Sequence, residues 1–325
     1  MSALDAIPEY DAGRPGSRFE EVPCYGCGSR RREHLTLAED DLTGKVGVYR
    51  FVTCQDCGLA YLDPRLKAEH ILEFYGDDYI AHSQRNTWGF LQPLYEYAVG
   101  GIDRNKEKLV RRFAPLGPGR KLLDVGCGGG SFLKRMRERT GADTTGLDFK
   151  DLSALPALQG SRFRCGLLHR QDFGAEKFDL ITMWHFLEHD YDPLASLAAA
   201  RDLLAGDGIL MIEVPRLDSR TRQIFGNRWP GLQAPQHTAL YSRETLCRMV
   251  EKAGFEVVDY LPYGAFPGYF YLFTGLAFKI LKGKGLNLRR LLVPYLLGQI
   301  LTSPILLFEK KLNLAMQIVV CRRRQ

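Results

Sequence analysis

The chemistry open to this chain of 325 residues rests on four paired cysteines, one glycine-crowded turn with two acids beside it, and three histidines. The cysteines stand in two matched knuckles, Cys24-Tyr-Gly-Cys27-Gly28 and Cys54-Gln-Asp-Cys57-Gly58. Two C-x-x-C pairs supply four thiolates that can close a tetrahedral site, and the glycine after each pair permits the turn that aims backbone N–H groups at sulfur. The pattern points to Zn2+ on Cys24, Cys27, Cys54 and Cys57. Four cysteines leave no coordination position open, so the ion is structural rather than catalytic. A redox dithiol or a pair of disulfides is the rival reading, which the matching of the two pairs disfavours.

The turn lies in Lys121-Leu-Leu-Asp-Val-Gly-Cys-Gly-Gly-Gly-Ser131. Leu122 to Val125 reads as a buried strand, and Phe132, Leu133 and Met136 have helical spacing. Between them Gly126, Cys127, Gly128 and Gly130 bring bare backbone close to a ligand. The helix amino end beyond can receive a carboxylate or phosphate, while Asp124 faces a cation or hydroxyls. Asp148, closing a second strand from Thr144 to Leu147, can accept both hydroxyls of a ribose. His185 and His189, in Trp184-His-Phe-Leu-Glu-His189, and His237, in Gln233-Ala-Pro-Gln-His-Thr-Ala-Leu-Tyr-Ser242, are candidates for a general base. The competing roles are bracing the loop for His189 and anchoring it for His237.

Strands and helices alternate around these groups. Further strands are expected at Phe163 to Leu168, Phe178 to Met183, Ile209 to Val214 and Phe255 to Leu261. A helix runs from Pro193 through Leu204 with Asp192 as its cap, Asp207-Gly208 turns into the fifth strand, and Ser242 caps a helix to Ala253. Such alternation means an α/β fold with a parallel sheet covered on both faces. The expected organisation is a loose tail (1–20), a zinc ribbon (21–63) folding largely on its metal, a helical connector (64–115) and a catalytic domain (116–325) with an apolar helical insert (262–311). In the connector Tyr75, Tyr79 or His82 can lid the ligand site; packing between ribbon and core is the alternative.

Composition is that of a globular protein, 45% hydrophobic and 25% charged, with a formal charge of 44 − 38 = +6. The basic residues are scattered, and the ribbon lacks a basic stripe interleaved with aromatics, which disfavours nucleic acid as a partner. Residues 1–20 lack the apolar core of a signal peptide, so the expected location is the reducing cytoplasm. Leu291 to Phe308 runs without a charge but contains Pro294, Gly298 and Pro304. Lysines and arginines flank it. That composition fits a peripheral contact through 265–308 at the inner membrane face better than a span; a lid or dimer surface is the other reading. The oligomeric state is left open.

Asp124-x-Gly126-x-Gly128-x-Gly130 after Leu122-Leu123 resembles the first motif of class I S-adenosylmethionine-dependent methyltransferases. It departs from the hydride-enzyme fingerprint, whose final glycine would fall at Ser131. Asp148, the Phe178 to His189 stretch and Gly206 to Pro215 follow in that superfamily's order. The resemblance implies a Rossmann-like, mostly parallel seven-stranded sheet whose last strand, Leu312 to Val320, is antiparallel between strands five and six. It further implies that the glycines underlie the methionine part of S-adenosyl-L-methionine, that Asp124 lies near its ammonium and that Asp148 holds the ribose. Gly166-Leu167-Leu168 supplies no acid for adenine, which leaves backbone and apolar contact at Leu167. Met183 and Trp184 would line the pocket beside the sulfonium.

The four-cysteine arrangement resembles bacterial polysaccharide and secondary-metabolite methyltransferases, including sugar C-methyltransferases. The Asp-Val-Gly-Cys-Gly-Gly-Gly string is similar to that of ubiquinone-pathway O-methyltransferases. The expected activity is O-methylation of a small-molecule, glycan or lipid-linked acceptor. C-methylation of a nucleotide-linked sugar, RNA modification and a non-catalytic scaffold are the alternatives.

Overall fold

The apolar runs that alternate with amphipathic helices assemble into one twisted sheet. The structure, a computed structural model, describes residues 16–75, 89, 92–282, 285–286, 293–298 and 308–324. In chain order it has β1 (Phe19–Glu20), β2 (Arg32–Glu39), β3 (Val48–Cys54), β4 (Ala60–Leu62), β5 (Arg65–Leu66), α1 (Ala68–Ile71) and α2 (Gln92–Phe113). There follow β6 (Lys121–Val125), α3 (Ser131–Thr140), β7 (Asp143–Asp148), β8 (Arg162–Cys165), β9 (Phe178–Trp184), α4 (Pro193–Leu203) and β10 (Leu204–Pro215). The last are α5 (Arg220–Phe225), β11 (Ala239–Leu240), α6 (Arg243–Lys252), β12 (Phe255–Leu261), α7 (Gly268–Leu281), α8 (Glu309–Leu312) and β13 (Met316–Arg323).

Seven strands form the main sheet in the order β12-β13-β10-β9-β6-β7-β8. β10, β9, β6, β7 and β8 pair in parallel, and β13 is antiparallel to both β10 and β12. Successive residues point to opposite faces, and both faces are buried. Leu123, Val125, Ile181 and Ile212 meet Leu197 and Ala200 of α4 and Leu246 and Val250 of α6 on one side. Leu122, Leu180 and Met211 meet Leu109 and Val110 of α2 and Phe132, Leu133 and Met136 of α3 on the other. Caps set the helix ends. The Asp192 side chain accepts from Ala195 N at 3.2 Å with Pro193 in the first turn, and Ser242 with Thr245 forms a capping box.

The cysteine-bearing segment shares this core. β2, β3 and β4 form a second sheet with β11, a strand contributed from the far side of the chain. Val22, Cys24, Val52, Cys54, Leu59 and Tyr61 are buried in the same cluster as Leu246 and Met249 of α6.

Several elements differ from the sequence expectation. The third strand ends at Cys165 rather than Leu168, because Gly166 at φ 125° bends the backbone where only glycine is unstrained. Asp207-Gly208 is no turn: β10 starts at Leu204 and passes through them with a register shift against β9. The last strand starts at Met316, not Leu312, since α8 and then Asn313 at φ 48° occupy the earlier residues. Phe19 and Glu20, expected in a loose tail, pair with Leu66 and Arg65. Tyr79, His82 and most of 291–308 lie outside the described residues. Among the described residues no helix is long and apolar enough to cross a membrane.

Candidate functional site

The carboxyl edge of the parallel strands carries the site. Gly126 N and Cys127 N donate to Leu147 O at 2.8 and 3.1 Å, which draws the turn after β6 onto the end of β7. Gly126 and Gly130 have φ of 74° and 76°, and a Cβ on them would lie 2.9 Å from Phe186 and 2.4 Å from Leu158. No other residue fits either place. Gly128 N donates to Asp148 Oδ2 at 3.0 Å and Lys150 N to Oδ1 at 3.2 Å, so the turn and the expected ribose acid form one unit. Cys127 turns its sulfur onto Gly146, where a Cβ would lie 2.7 Å away, and burial raises its thiol pKa. What Cys127 offers a cofactor is therefore its backbone. Leu167 is 40% exposed just past the end of β8.

Asp124 is buried, and Thr182 Oγ1 donates to its Oδ1 at 2.6 Å. Burial pushes its pKa up to about 6, against the pull of Lys106 and Thr182. From α2, Lys106 Nζ lies 5.3 Å from the Trp184 ring and 5.4 Å from Phe132. Asp103, one turn earlier and also buried, has its pKa raised by burial and hydrogen-bonds Ser131. Two acids and two aromatic faces thus make a corner suited to a cation. Trp184 belongs to it, and its buried Nε1 has no hydrogen-bond partner among the described residues. Met183 does not: its side chain is wholly buried on the opposite face of β9, in the core. The period-two alternation of a strand cannot present both neighbours to one pocket.

The three histidines do come together. His185 sits at φ 55° immediately after β9, with Nδ1 3.2 Å from Glu188 Oε1 and Nε2 3.3 Å from Glu213 Oε1. Burial alone would lower its pKa, but the two carboxylates hold it up, at about 9. Such a ring already carries its proton at neutral pH, which corrects the expectation of His185 as a base. His189 Nδ1 lies 3.1 Å from Gln236 O and 2.8 Å from Tyr75 Oη. His237 Nδ1 donates to Gly231 O at 2.8 Å. Burial lowers both pKa values to about 3, and the two rings stand edge to face with centroids 4.5 Å apart.

Backbone bonds hold this cluster. Thr238 N donates to Glu188 O at 2.7 Å, and Thr238 Oγ1 to Asp190 O at 2.8 Å, clamping the His237 loop on the turn after β9. Leu62 N of β4 in turn donates to Thr238 O at 2.9 Å. Tyr75 reaches from His189 to Phe149, next to Asp148, with ring centroids 5.2 Å apart. Glu213 accepts from Ala265 N at 2.8 Å and Phe266 N at 3.0 Å and so anchors the entry to α7. Sequence reasoning named neither Glu188 nor Glu213 as functional, nor Asp103, Lys106 and Thr182. A lone acid closing an otherwise apolar strand, Ile209 to Val214, was the available signal for Glu213.

The four cysteine ligand atoms of Cys24, Cys27, Cys54 and Cys57 lie within 4.8 Å of one another. Sγ of Cys24 and Cys57 are 3.4 Å apart, and those of Cys27 and Cys54 3.5 Å. Those separations are too long for disulfides and close to the roughly 3.8 Å edge of a tetrahedron with about 2.3 Å metal–sulfur bonds. Gly28 N and Gly58 N donate back to Cys24 O and Cys54 O at 2.8 and 2.9 Å, closing the two knuckles. The residues fit a metal ion.

A glycine turn joined to Asp148, beneath a seven-stranded sheet with an antiparallel β13, narrows the family. The sequence profile described as "Methyltransferase domain" matches residues 98–260, half of the chain. The chain belongs to that family. It is a class I S-adenosylmethionine-dependent methyltransferase. A ubiquinone biosynthesis O-methyltransferase of Cereibacter sphaeroides is 30% identical over 194 residues, 54% of this chain and 78% of that protein. A second, from Actinobacillus pleuropneumoniae, is 39% identical over 141 residues, 38% of this chain and 57% of that protein. Among solved structures, the phosphoethanolamine N-methyltransferase 2 of Haemonchus contortus with S-adenosyl-L-methionine superposes with a TM-score of 0.51 at 16% identity. That match covers 82% of this methyltransferase and 63% of that chain, and it supports the fold.

Proposed function

We propose that this methyltransferase moves the methyl group of S-adenosyl-L-methionine to an oxygen of a small-molecule acceptor. The observation that carries this reading is the Glu188, His189 and His237 cluster, linked through Tyr75 to the Asp148 side of the cofactor turn. A hydroxyl needs help in losing its proton before it can attack, and alignment with the S–CH₃ bond supplies the rest of the rate. The names of the two bacterial relatives support oxygen as the acceptor atom. Asp124, Gly126, Gly128 and Asp148 would hold the methionine and ribose parts, Leu167 would face adenine, and Trp184 would face the sulfonium. His189 and His237 would meet the acceptor.

The cysteine quartet would hold structural zinc. Its sheet, shared with β11, supports a role in shaping the acceptor side rather than in chemistry. The lipid part of a lipid-linked acceptor fits α7, where Leu276 and Ile280, 55% and 70% exposed, stand one turn apart beside Lys279. The same face supports a peripheral membrane contact of the insert. C-methylation of a nucleotide-linked sugar is favoured only by the presence of four cysteines.

The test is incubation with methyl-labelled S-adenosylmethionine and separate panels of prenylated catechols, nucleotide sugars, cell lipid and RNA, followed by mass spectrometry of the labelled product. Label on a hydroxyl oxygen is expected. Label on a sugar carbon or a nucleobase would overturn the reading.

A further inference from the structure

Glu188, His189 and His237 each present one ligand atom, a carboxylate oxygen or an imidazole nitrogen, and all three atoms lie within 4.8 Å of one another. Glu188 is 1% exposed, and its Oε2 has no hydrogen-bond partner among the described residues. Its other oxygen, Oε1, is held by His185 Nδ1 at 3.2 Å. A buried carboxylate with one oxygen fixed and the other unmatched is poised for a cation.

Each imidazole is held through its Nδ1. His237 Nδ1 and His189 Nδ1 each sit at hydrogen-bond distance from a backbone carbonyl, Gly231 O and Gln236 O. A carbonyl accepts only, so Nδ1 of His237 carries the proton and its Nε2 the lone pair, whereas Nδ1 of His189 also faces the Tyr75 hydroxyl at 2.8 Å, which can donate to it. Rings that ligate metals are held as His237 is, with the remote N–H on a carbonyl or carboxylate. Packing alone would account for two rings edge to face, but not for a buried carboxylate oxygen beside them that lacks a hydrogen-bond partner among the described residues.

We propose that Glu188, His189 and His237 bind a divalent transition-metal ion at a site separate from the four cysteines. Two imidazoles and one carboxylate suit Zn2+, Mn2+, Fe2+ or Co2+ and leave coordination positions open. On the O-methyl reading, on which this role rests, an open position takes the acceptor oxygen. The ion lowers the hydroxyl pKa, the proton leaves to water, and the oxygen attacks the methyl carbon. The S–CH₃ bond breaks as the sulfur keeps its electron pair and loses its charge.

Metal content tests the site without any acceptor. The full chain, stripped with a chelator under reducing conditions, is titrated with Co2+ and followed by optical absorption and by elemental analysis after gel filtration. Two ions per chain are expected, one with thiolate-to-cobalt charge-transfer bands and one with only ligand-field bands. Glu188→Gln and, separately, His237→Ala should lose the second ion and keep the first, with binding of S-adenosylhomocysteine retained as the check of folding. A wild-type chain that takes up one ion, with thiolate bands only, overturns the proposal whatever the variants do. Retention of the second ion in both variants overturns it too. Acceptor oxidation state or identity does not enter, so failure here leaves the O-methyl reading to its own experiment.

Discussion

The cysteine quartet and the Glu188–His189–His237 cluster are both ligand-rich, yet they are built in opposite ways. Each cysteine knuckle is local, closed by a bond from Gly28 N or Gly58 N to the first cysteine's own carbonyl. The histidine cluster joins residues separated by α4, β10 and α5, brought together by the Thr238 clamp and by the contact of His189 Nδ1 with Gln236 O. The two are coupled in space. Cys54 ends β3, β3 pairs with β4, β4 pairs with β11, and Leu62 N of β4 bonds Thr238 O beside His237. A site made of local turns can thus serve as the foundation of one made of distant parts.

The largest effect should come from removing that foundation. Cys54→Ser is expected to abolish metal binding at the quartet and to lower Tm by on the order of 10 °C, because an ion bound by the folded chain alone adds its binding energy to folding. If the β4–β11 link matters as drawn, His237 loses its position as well, and methyl transfer falls with the metal. Calorimetry and turnover of the same preparation check this; a variant that loses its metal but keeps full turnover would separate the two regions.

Second in size is His237→Ala, for which turnover should fall roughly 10²- to 10⁴-fold while affinity for S-adenosylhomocysteine stays within about twofold. On the proposed reading His237 meets the acceptor and the glycine turn holds the cofactor, so kcat and cofactor binding should part company. Equal losses in both would mean that the loop merely supports the fold.

Which parts of the molecule were legible follows the same contrast. Strand six was read at its true ends, Phe255 to Leu261, because Gly254 stops the helix before it and each boundary is local. The quartet and the glycine turn were equally plain, their constraints lying within a few residues. Met183 was misplaced because a neighbour's proximity to a strand end says nothing of which face it points to. His185 was taken for a base because its type was visible, whereas Glu188 and Glu213, which hold its proton in place, act through the fold. β11 was not foreseen, since two residues pairing with a distant hairpin leave no periodicity to read.

A third effect concerns the cofactor side. Asp124 ionises only above about 6, because burial disfavours its charge. A cationic ammonium binds the ionised form, so affinity for S-adenosylhomocysteine should be flat above that pH and weaken by up to about tenfold per unit below it. The sign for the free protein is the reverse. With its pKa raised on folding, Asp124 costs stability as pH rises from about 4 to 6. Asp124→Asn should weaken cofactor binding roughly 10- to 100-fold at neutral pH and flatten the pH profile, as read by calorimetry between pH 5 and 8. An unchanged profile would place the ammonium elsewhere, and the acid corner would then belong to Lys106 alone.

The smallest effect is the most discriminating for the coupling. Thr238→Val keeps the side-chain shape and the backbone bonds to Glu188 and Leu62 but deletes the hydroxyl that donates to Asp190 O. The lost bond should cost about 1 kcal/mol of stability, more if Asp190 O is left without a partner. The quartet lies upstream of this bond, so its metal content should not change. The Glu188–His189–His237 geometry lies downstream, and looser positioning should lower kcat several-fold with little change in cofactor affinity. A threonine that mattered only as core would lower Tm and leave kcat alone. The two regions then differ in kind: the cysteines fix where the loop starts, and Thr238 fixes where its histidine ends.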